Sequence, residues 1–501
     1  MNIYVEIERL LHYGMTKKLI ETDDLDFTRN QLLAILELAD FEQPAEIPDD
    51  EQETPVEILN AILDWAYENG RIRNNTTTER DLLDTKIMGV FVSRPSDVIN
   101  KFFGYKDVTE ATNYLYQLSK DSLYIRTDRI AKNEHWFADT NYGQIEITIN
   151  LSKPEKDPKE IAAAKQIKNS SYPECLLCKE NVGYAGRLNH PARQNLRTIP
   201  VDLDGEKWHL QFSPYVYYNE HAIVLKDSHE PMKISKRTFE RLLAFTSIFP
   251  HYFLGSNADL PIVGGSILSH DHFQGGNHDF PMAKAEIEFD FQLTNFPHTR
   301  AGIVKWPMSV VRLQSLNLHE LVDAADYIFR TWREYSDESV DIHAFTNNTP
   351  HNTITPIARR RGEMFELDLV LRNNRTSEKH PMGIFHPHDE VHHIKKENIG
   401  LIEVMGLAVL PGRLKEELKL VGEALVSNNP IEELKKQPDI QKHADWAIKI
   451  LEKHPDETVD SIDDVLKKEI GIVFTTILEH AGVFKRDERG VRAFKSFIES
   501  L

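Results

Sequence analysis

At 501 residues the chain exceeds one ordinary hydrophobic core, and its 41% hydrophobic and 28% charged residues fit a soluble globular protein of about two to four domains. Lys and Arg total 59 against 79 Asp and Glu, a formal charge of −20 that argues against general nucleic-acid binding yet leaves room for a small anionic ligand in a local basic pocket. No apolar run approaches the roughly 20 residues of a membrane span. Met1 to Leu10 carry Glu6 and Glu8 in place of a basic stretch and an apolar core, so no secretory signal is expected. Two cysteines cannot form a disulfide framework, and a cytoplasmic location follows.

Residues 1 to 123 read as a helical region. Val56-Glu57-Ile58-Leu59-Asn60-Ala61-Ile62-Leu63-Asp64-Trp65-Ala66-Tyr67 carries apolar residues at three- and four-residue spacing. The acidic, proline-containing stretch from Gln43 to Pro55 predicts a loop between two helical groups. From Tyr124 the pattern turns to strands: Ile145 to Leu151 alternates apolar and polar after the turn-forming Asn141-Tyr142-Gly143. Lys153 and Lys156 follow, either as phosphate ligands or as a solvated edge.

Cys175 and Cys178 are spaced C-x-x-C, a turn that puts two thiolates on one side for zinc; redox chemistry and accidental spacing are the other readings. Four-coordinate zinc needs two further ligands; His221, at the start of the apolar strand Ala222 to Leu225, is either a hydrogen-bonded structural residue, the usual role of a lone histidine there, or the residue that completes a zinc set with Cys175, Cys178 and His270. Ser235 predicts a helix N-cap, with Phe239, Leu242, Leu243 and Phe249 forming an apolar face and Pro250 ending the helix.

The most informative stretch is Gly264-Gly265-Ser266-Ile267-Leu268-Ser269-His270-Asp271-His272-Phe273-Gln274-Gly275-Gly276. Leu260-Pro261-Ile262-Val263 predicts a β lead-in, and on a strand His270, His272 and Gln274 share one face. An imidazole beside an amide donor, framed by glycines that let a ligand approach the backbone, suits attack on phosphorus with histidine as nucleophile. A metal site or a polar strand end is what a bare His-x-His otherwise indicates.

Beyond it come a strand at Ser309 to Ser315, a helix at Glu320 to Glu334, and strands at Asp341 to Phe345, Asn352 to Ile357 and Phe365 to Arg372. This order repeats the preceding strand and helix and suggests two related α+β units. Ala358-Arg359-Arg360-Arg361-Gly362 closes a strand as a sugar-phosphate contact or a surface turn. His380 to His393 is histidine-rich but proline-interrupted and lacks a glycine frame, so it ranks second as a catalytic site. Gly400 to Pro411 reads as a buried strand or strand pair, and residues 413–501 return to amphipathic helices. The expected fold is α+β: a helical region 1–123, units at 124–300 and 301–412, and a helical region 413–501.

With Cys175-x-x-Cys178, Asn219-Glu220-His221 and Ser269-His270-Asp271-His272-Phe273-Gln274-Gly275-Gly276 in that order, the chain resembles the longer bacterial type of galactose-1-phosphate uridylyltransferase, within the histidine-triad superfamily. The likeness runs from Tyr124 to Pro411, and Gly400 to Leu414 also looks typical of it. It implies two histidine-triad-like antiparallel sheet units with packed helices. It also implies uridylylation of His272, a hydrogen bond from Gln274 to a phosphoryl oxygen, and structural zinc on Cys175, Cys178, His221 and His270. Ser266, Lys153, Lys156 and Asn195 would touch substrate, Asn195 at the ribose. Asp271 and Phe273 depart from the shorter type, which has proline and a small residue there.

The implied reaction moves UMP from UDP-glucose to galactose 1-phosphate through a uridylyl-histidine, with no nucleic-acid or membrane partner and, by resemblance, a homodimer. Two other readings are a histidine-triad nucleotide hydrolase or adenylyl transferase, and a non-catalytic zinc-dependent nucleotide-sugar binding protein.

Overall fold

Helical spacing sets Ile7, Leu10 and Leu11 of helix Ile3–Thr16 in one buried cluster with Ile58, Leu59 and Ile62 of helix Val56–Glu68. Helices Leu25–Ile35, Thr77–Gly89, Pro95–Gly104 and Val108–Asp121 and the short helix Thr127–Ile130 also lie in this part of the chain. Their starts are signalled locally: the side chains of Asn2, Thr76 and Asp107 accept first-turn N–H groups, and Pro95 occupies a first-turn position. The computed structural model describes residues 1–48, 52–151, 170–265, 267–455 and 458–501. Lys153, Lys156 and Ser266 lie outside the described residues.

The chain divides into two compact units. The first holds Met1–Lys132, Ser152–Glu230 and His270–His272. Its strands Ile199–Leu203, Glu206–Phe212 and Ala222–Lys226 pair antiparallel in that order. The first two are joined by Asp204-Gly205, both at positive φ, the pair that a two-residue hairpin with right-handed twist demands. Trp208, Leu210, Phe212, Val224 and Leu225 are buried here, and the Tyr124 hydroxyl donates to the Phe212 carbonyl at 3.0 Å, tying the helices to the strands. The segment His270–His272 joins this unit through its backbone: Lys226 N–H donates to the Asp271 carbonyl (3.0 Å) and Asp271 N–H to that of Glu230 (2.7 Å).

In the second unit strands run in the order Phe253–Gly255, Asn352–Arg361, Met364–Asn373, Val310–Ser315, Arg300–Val304 and Ile287–Gln292, all neighbours antiparallel. Helices Lys236–Ile248 and Leu318–Glu334 pack on them. Phe253–Gly255 also pairs with Gln274, Gly275 and Gly276. Gly275 is required there, because a Cβ would stand 2.5 Å from the Phe253 carbonyl oxygen. A separate sheet joins the hairpin Glu134–Thr140 and Gly143–Asn150 to the parallel strand Leu407–Pro411. Helices follow from Leu414 to Glu499, and no helix among the described residues is long and apolar enough to cross a membrane. The architecture is α+β, as the alternation of periods predicts.

Three local expectations are corrected. Leu260 to Val263 is a turn instead of a strand: Gly264 bridges back to Ala258, so closely that a Cβ would lie 2.5 Å from the Ala258 oxygen. Within Asp341 to Phe345, Asp341 adopts a left-handed conformation and Ile342 bridges to Asp337, leaving only the short strand Phe345–Thr346. Residues 400 to 411 split into helix Leu401–Val404 and strand Leu407–Pro411. Glu403 accepts from Gly400 N–H (2.8 Å), Asn257 accepts from Leu401 N–H (2.9 Å), and Gly406 at φ 100° turns the chain into the strand. Of the three arginines that close the strand Asn352–Arg361, Arg359 is buried against Glu366 and Asp368, Arg360 lies 3.8 Å over the Phe365 ring, and Arg361 donates to the Ala283 carbonyl just before the turn at Gly362.

Candidate active site and metal centre

The strand His272–Gly276 opens on the imidazole that the motif singles out. His270 precedes the strand, so only His272 and Gln274 alternate along it. His272 is 6% exposed. Its Nδ1–H donates to the His270 carbonyl at 2.8 Å, which fixes the tautomer and leaves the lone pair on Nε2. Burial is the main cause that lowers its pKa to about 4; the His270 carbonyl opposes the shift and the His270 ring adds to it. The imidazole is therefore neutral and nucleophilic at pH 7. Among the described residues the buried Gln274 amide oxygen accepts no hydrogen bond.

Next to His272 in the chain, His270 joins Cys175, Cys178 and His229 in a group whose four donor atoms lie within 4.8 Å of one another. The sulfurs are 3.5 Å apart; His270 Nδ1 lies 3.3 and 3.7 Å from them, and His229 Nδ1 lies 3.2 Å from Cys178 Sγ. A tetrahedral zinc with ordinary bond lengths has S···S edges of about 3.8 Å and S···N edges of about 3.6 Å, so the donor set fits the ion. Leu177 N–H donates to Cys175 Sγ and Cys175 N–H to Cys178 Sγ, both at 3.3 Å. His270 Nε2–H donates to the Lys226 carbonyl (2.9 Å), and His229 Nε2 faces Glu174 at 3.5 Å; each contact leaves Nδ1 as the ring nitrogen that meets the cysteine sulfurs. Burial first, and then the Cys178 sulfur, push the Cys175 thiol up to about 12.

The group of four donors contains His229 and not the expected His221. His221 Nδ1–H donates to the Tyr215 carbonyl at 3.0 Å, and its ring packs against Tyr217 and Tyr218. It precedes the strand Ala222–Lys226, whereas His270 is bonded to the last residue of that strand, about 16 Å further on at extended spacing. The available signal was His229 itself, in the polar turn Asp227-Ser228-His229-Glu230 just past that end. Asn195 is buried and donates to the Ser122 carbonyl at 2.9 Å, anchoring its loop to the helical layer.

In the second unit His388, Glu390 and His480 also bring donor atoms within 4.8 Å. The rings of His380, His388 and His480 stack, with centroids 4.0 and 4.2 Å apart and planes within 21°, and so present faces to one another instead of converging lone pairs.

Two family models match the chain: galactose-1-phosphate uridyl transferase, N-terminal domain, over residues 18–231, and its C-terminal domain over residues 245–447. The galactose-1-phosphate uridylyltransferase of Halalkalibacterium halodurans is 63% identical, covering 100% of this chain and 99% of that protein. The protein of that name from Bacillus subtilis is 58% identical over 100% and 98%, and that from Clostridium acetobutylicum 54% over 99% and 99%. The chain belongs to the galactose-1-phosphate uridylyltransferase family.

Proposed function

We propose that the protein transfers UMP from UDP-glucose to galactose 1-phosphate, giving UDP-galactose and glucose 1-phosphate, by a ping-pong route through uridylyl-His272. The observation that carries this reading is the buried neutral imidazole with Nδ1–H held by the His270 carbonyl, in a chain matched end to end by uridylyltransferases.

In the first step the Nε2 lone pair forms a bond to the α-phosphorus while the bond from that phosphorus to the bridging oxygen breaks, and the oxygen leaves with glucose 1-phosphate. The ring becomes cationic, and the His270 carbonyl that accepts from Nδ1–H stabilises that charge. In the second step a phosphate oxygen of galactose 1-phosphate attacks phosphorus and the P–Nε2 bond breaks, restoring the neutral ring. One sugar-phosphate anhydride replaces another, so no external energy source is needed. Gln274 donates to a non-bridging oxygen as charge shifts there, and burial of His272 limits hydrolysis of the intermediate.

Zinc on Cys175, Cys178, His229 and His270 would be structural, because four protein ligands leave no open position. Support for Lys153, Lys156, Ser266 and Asn195 as substrate contacts is the family resemblance alone. A homodimer has the same support, and a cytoplasmic location rests on the low cysteine content.

The test is incubation with UDP-glucose labelled at the α-phosphate, then alkaline denaturation and localisation of acid-labile label. The expected outcome is label on His272, discharged by galactose 1-phosphate as UDP-galactose. His272→Ala should form no adduct and lose at least about 10³-fold in turnover. Discharge by water alone would point to a hydrolase, and normal turnover by His272→Ala would overturn the assignment.

A further inference from the structure

We infer that Asn181, held in place by His190, is a positioning residue for the metal centre and, through that centre, for the nucleophile; the inference rests on the zinc reading above. Asn181 ends the short helical turn Lys179–Asn181 just after the second cysteine and is 2% exposed. Its amide nitrogen donates to the carbonyls of both cysteines, Cys175 at 2.9 Å and Cys178 at 2.7 Å. Its amide oxygen accepts from His190 Nε2 at 2.7 Å. His190 is itself held by a reciprocal backbone pair with Arg187, at 2.8 and 2.9 Å.

Both hydrogens of one NH2 group are thus spent on the peptides that carry the ligating thiols. An aspartate of the same size could accept from His190 but could donate to neither carbonyl. Rotation of either cysteine peptide would swing its sulfur. It would also break the N–H to sulfur bonds from Leu177 and Cys175.

The consequence extends to the chemistry. The two sulfurs lie 3.3 and 3.7 Å from His270 Nδ1, and the His270 carbonyl is the acceptor that orients His272 through Nδ1–H. A chain of contacts therefore runs from His190 through Asn181, the cysteine turn and His270 to the reacting imidazole. Asn181 touches no reacting atom, so its effect should appear as geometry.

The experiment compares full-length wild type with Asn181→Ala, Asn181→Asp, His190→Ala and His190→Gln. Zinc affinity is read by chelator competition, and the site by the thiolate charge-transfer and d–d bands of the cobalt-substituted protein. Both Asn181 variants should bind zinc about 10- to 100-fold more weakly and show altered cobalt bands. Their kcat should fall while KM for UDP-glucose stays within about twofold. His190→Gln, which keeps a donor, should lie closer to wild type than His190→Ala. A merely structural Asn181 would lower the melting temperature of zinc-loaded and zinc-stripped protein equally; a positioning role shrinks the difference between them. Wild-type zinc affinity and cobalt bands in folded Asn181→Asp would overturn the inference. A wild-type protein that takes up no zinc would overturn the zinc reading itself and this inference with it.

Discussion

His221 and His229 flank one strand, and only the second faces the cysteines. The C-x-x-C turn and the His-x-His-x-Gln phrase were legible because their geometry is set within a few residues. The fourth donor of the group was not, because it depends on which end of the strand Ala222–Lys226 meets His270, a tertiary fact carried by the bond from His270 to the Lys226 carbonyl. His229→Ala should therefore lose zinc on purification, whereas His221→Ala should retain it and lose only stability, as metal analysis of the two proteins would reveal. The reverse pattern would restore His221 to the site. On the proposed mechanism, Gln274→Ala should slow adduct formation by about 10²- to 10³-fold in single-turnover assays, the usual effect of removing one donor to a charged transition state.

Single elements show why charge patterns mislead. Arg359, Arg360 and Arg361 read as a ligand patch or a turn, yet Arg359 and Arg312 converge on Asp368 across three adjacent strands. Asp368 accepts from Arg312 at 2.7 and 2.9 Å and from Arg359 at 2.8 and 2.9 Å, all buried. Burial would raise the Asp368 pKa, but the two guanidiniums outweigh it and hold the carboxylate well below its usual range. Asp368→Asn leaves both cations underpaired and should cost about 3–5 kcal/mol in denaturant unfolding. A folded pKa below the unfolded value means the contribution is complete above about pH 4 and declines as pH falls further. The variant should accordingly lose less stability than wild type between pH 4 and 3. The helix at Leu401 was hidden for a related reason: its start depends on Asn257, far away in sequence. By contrast Lys236–Ile248 carries its own cap at Ser235 and its own apolar period, and was readable as it stood.

For the molecule as a whole, acidity sets two effects against each other. The formal charge of −20 implies self-repulsion that protonation relieves, which by itself favours the folded state as pH falls. Against this stand histidines kept neutral by burial: His221, His393 and His480 are each pushed down to about 4. His480 also faces His388, His380 and Lys485, which oppose its charging, and Glu390, which favours it; His393 faces His443, Arg413 and Lys442. Their folded values lie below the unfolded value of about 6.5, so the unfolded chain binds more protons between the two. Stability is complete above pH 6.5 and is lost as pH falls toward 4. Most carboxylates stay charged until about pH 5, and salt near 0.15 M screens surface repulsion beyond about 8 Å, so relief of repulsion arrives late and weak. The imidazoles should win between pH 6.5 and 5. The melting temperature at 0.15 M salt should fall across that window, and replacing His393 and His480 together by Gln should flatten the decline, with wild type and variant compared at equal zinc content because acid also releases metal from Cys and His. A melting temperature that rises toward pH 5 in wild type would mean that relief of the net negative charge dominates instead.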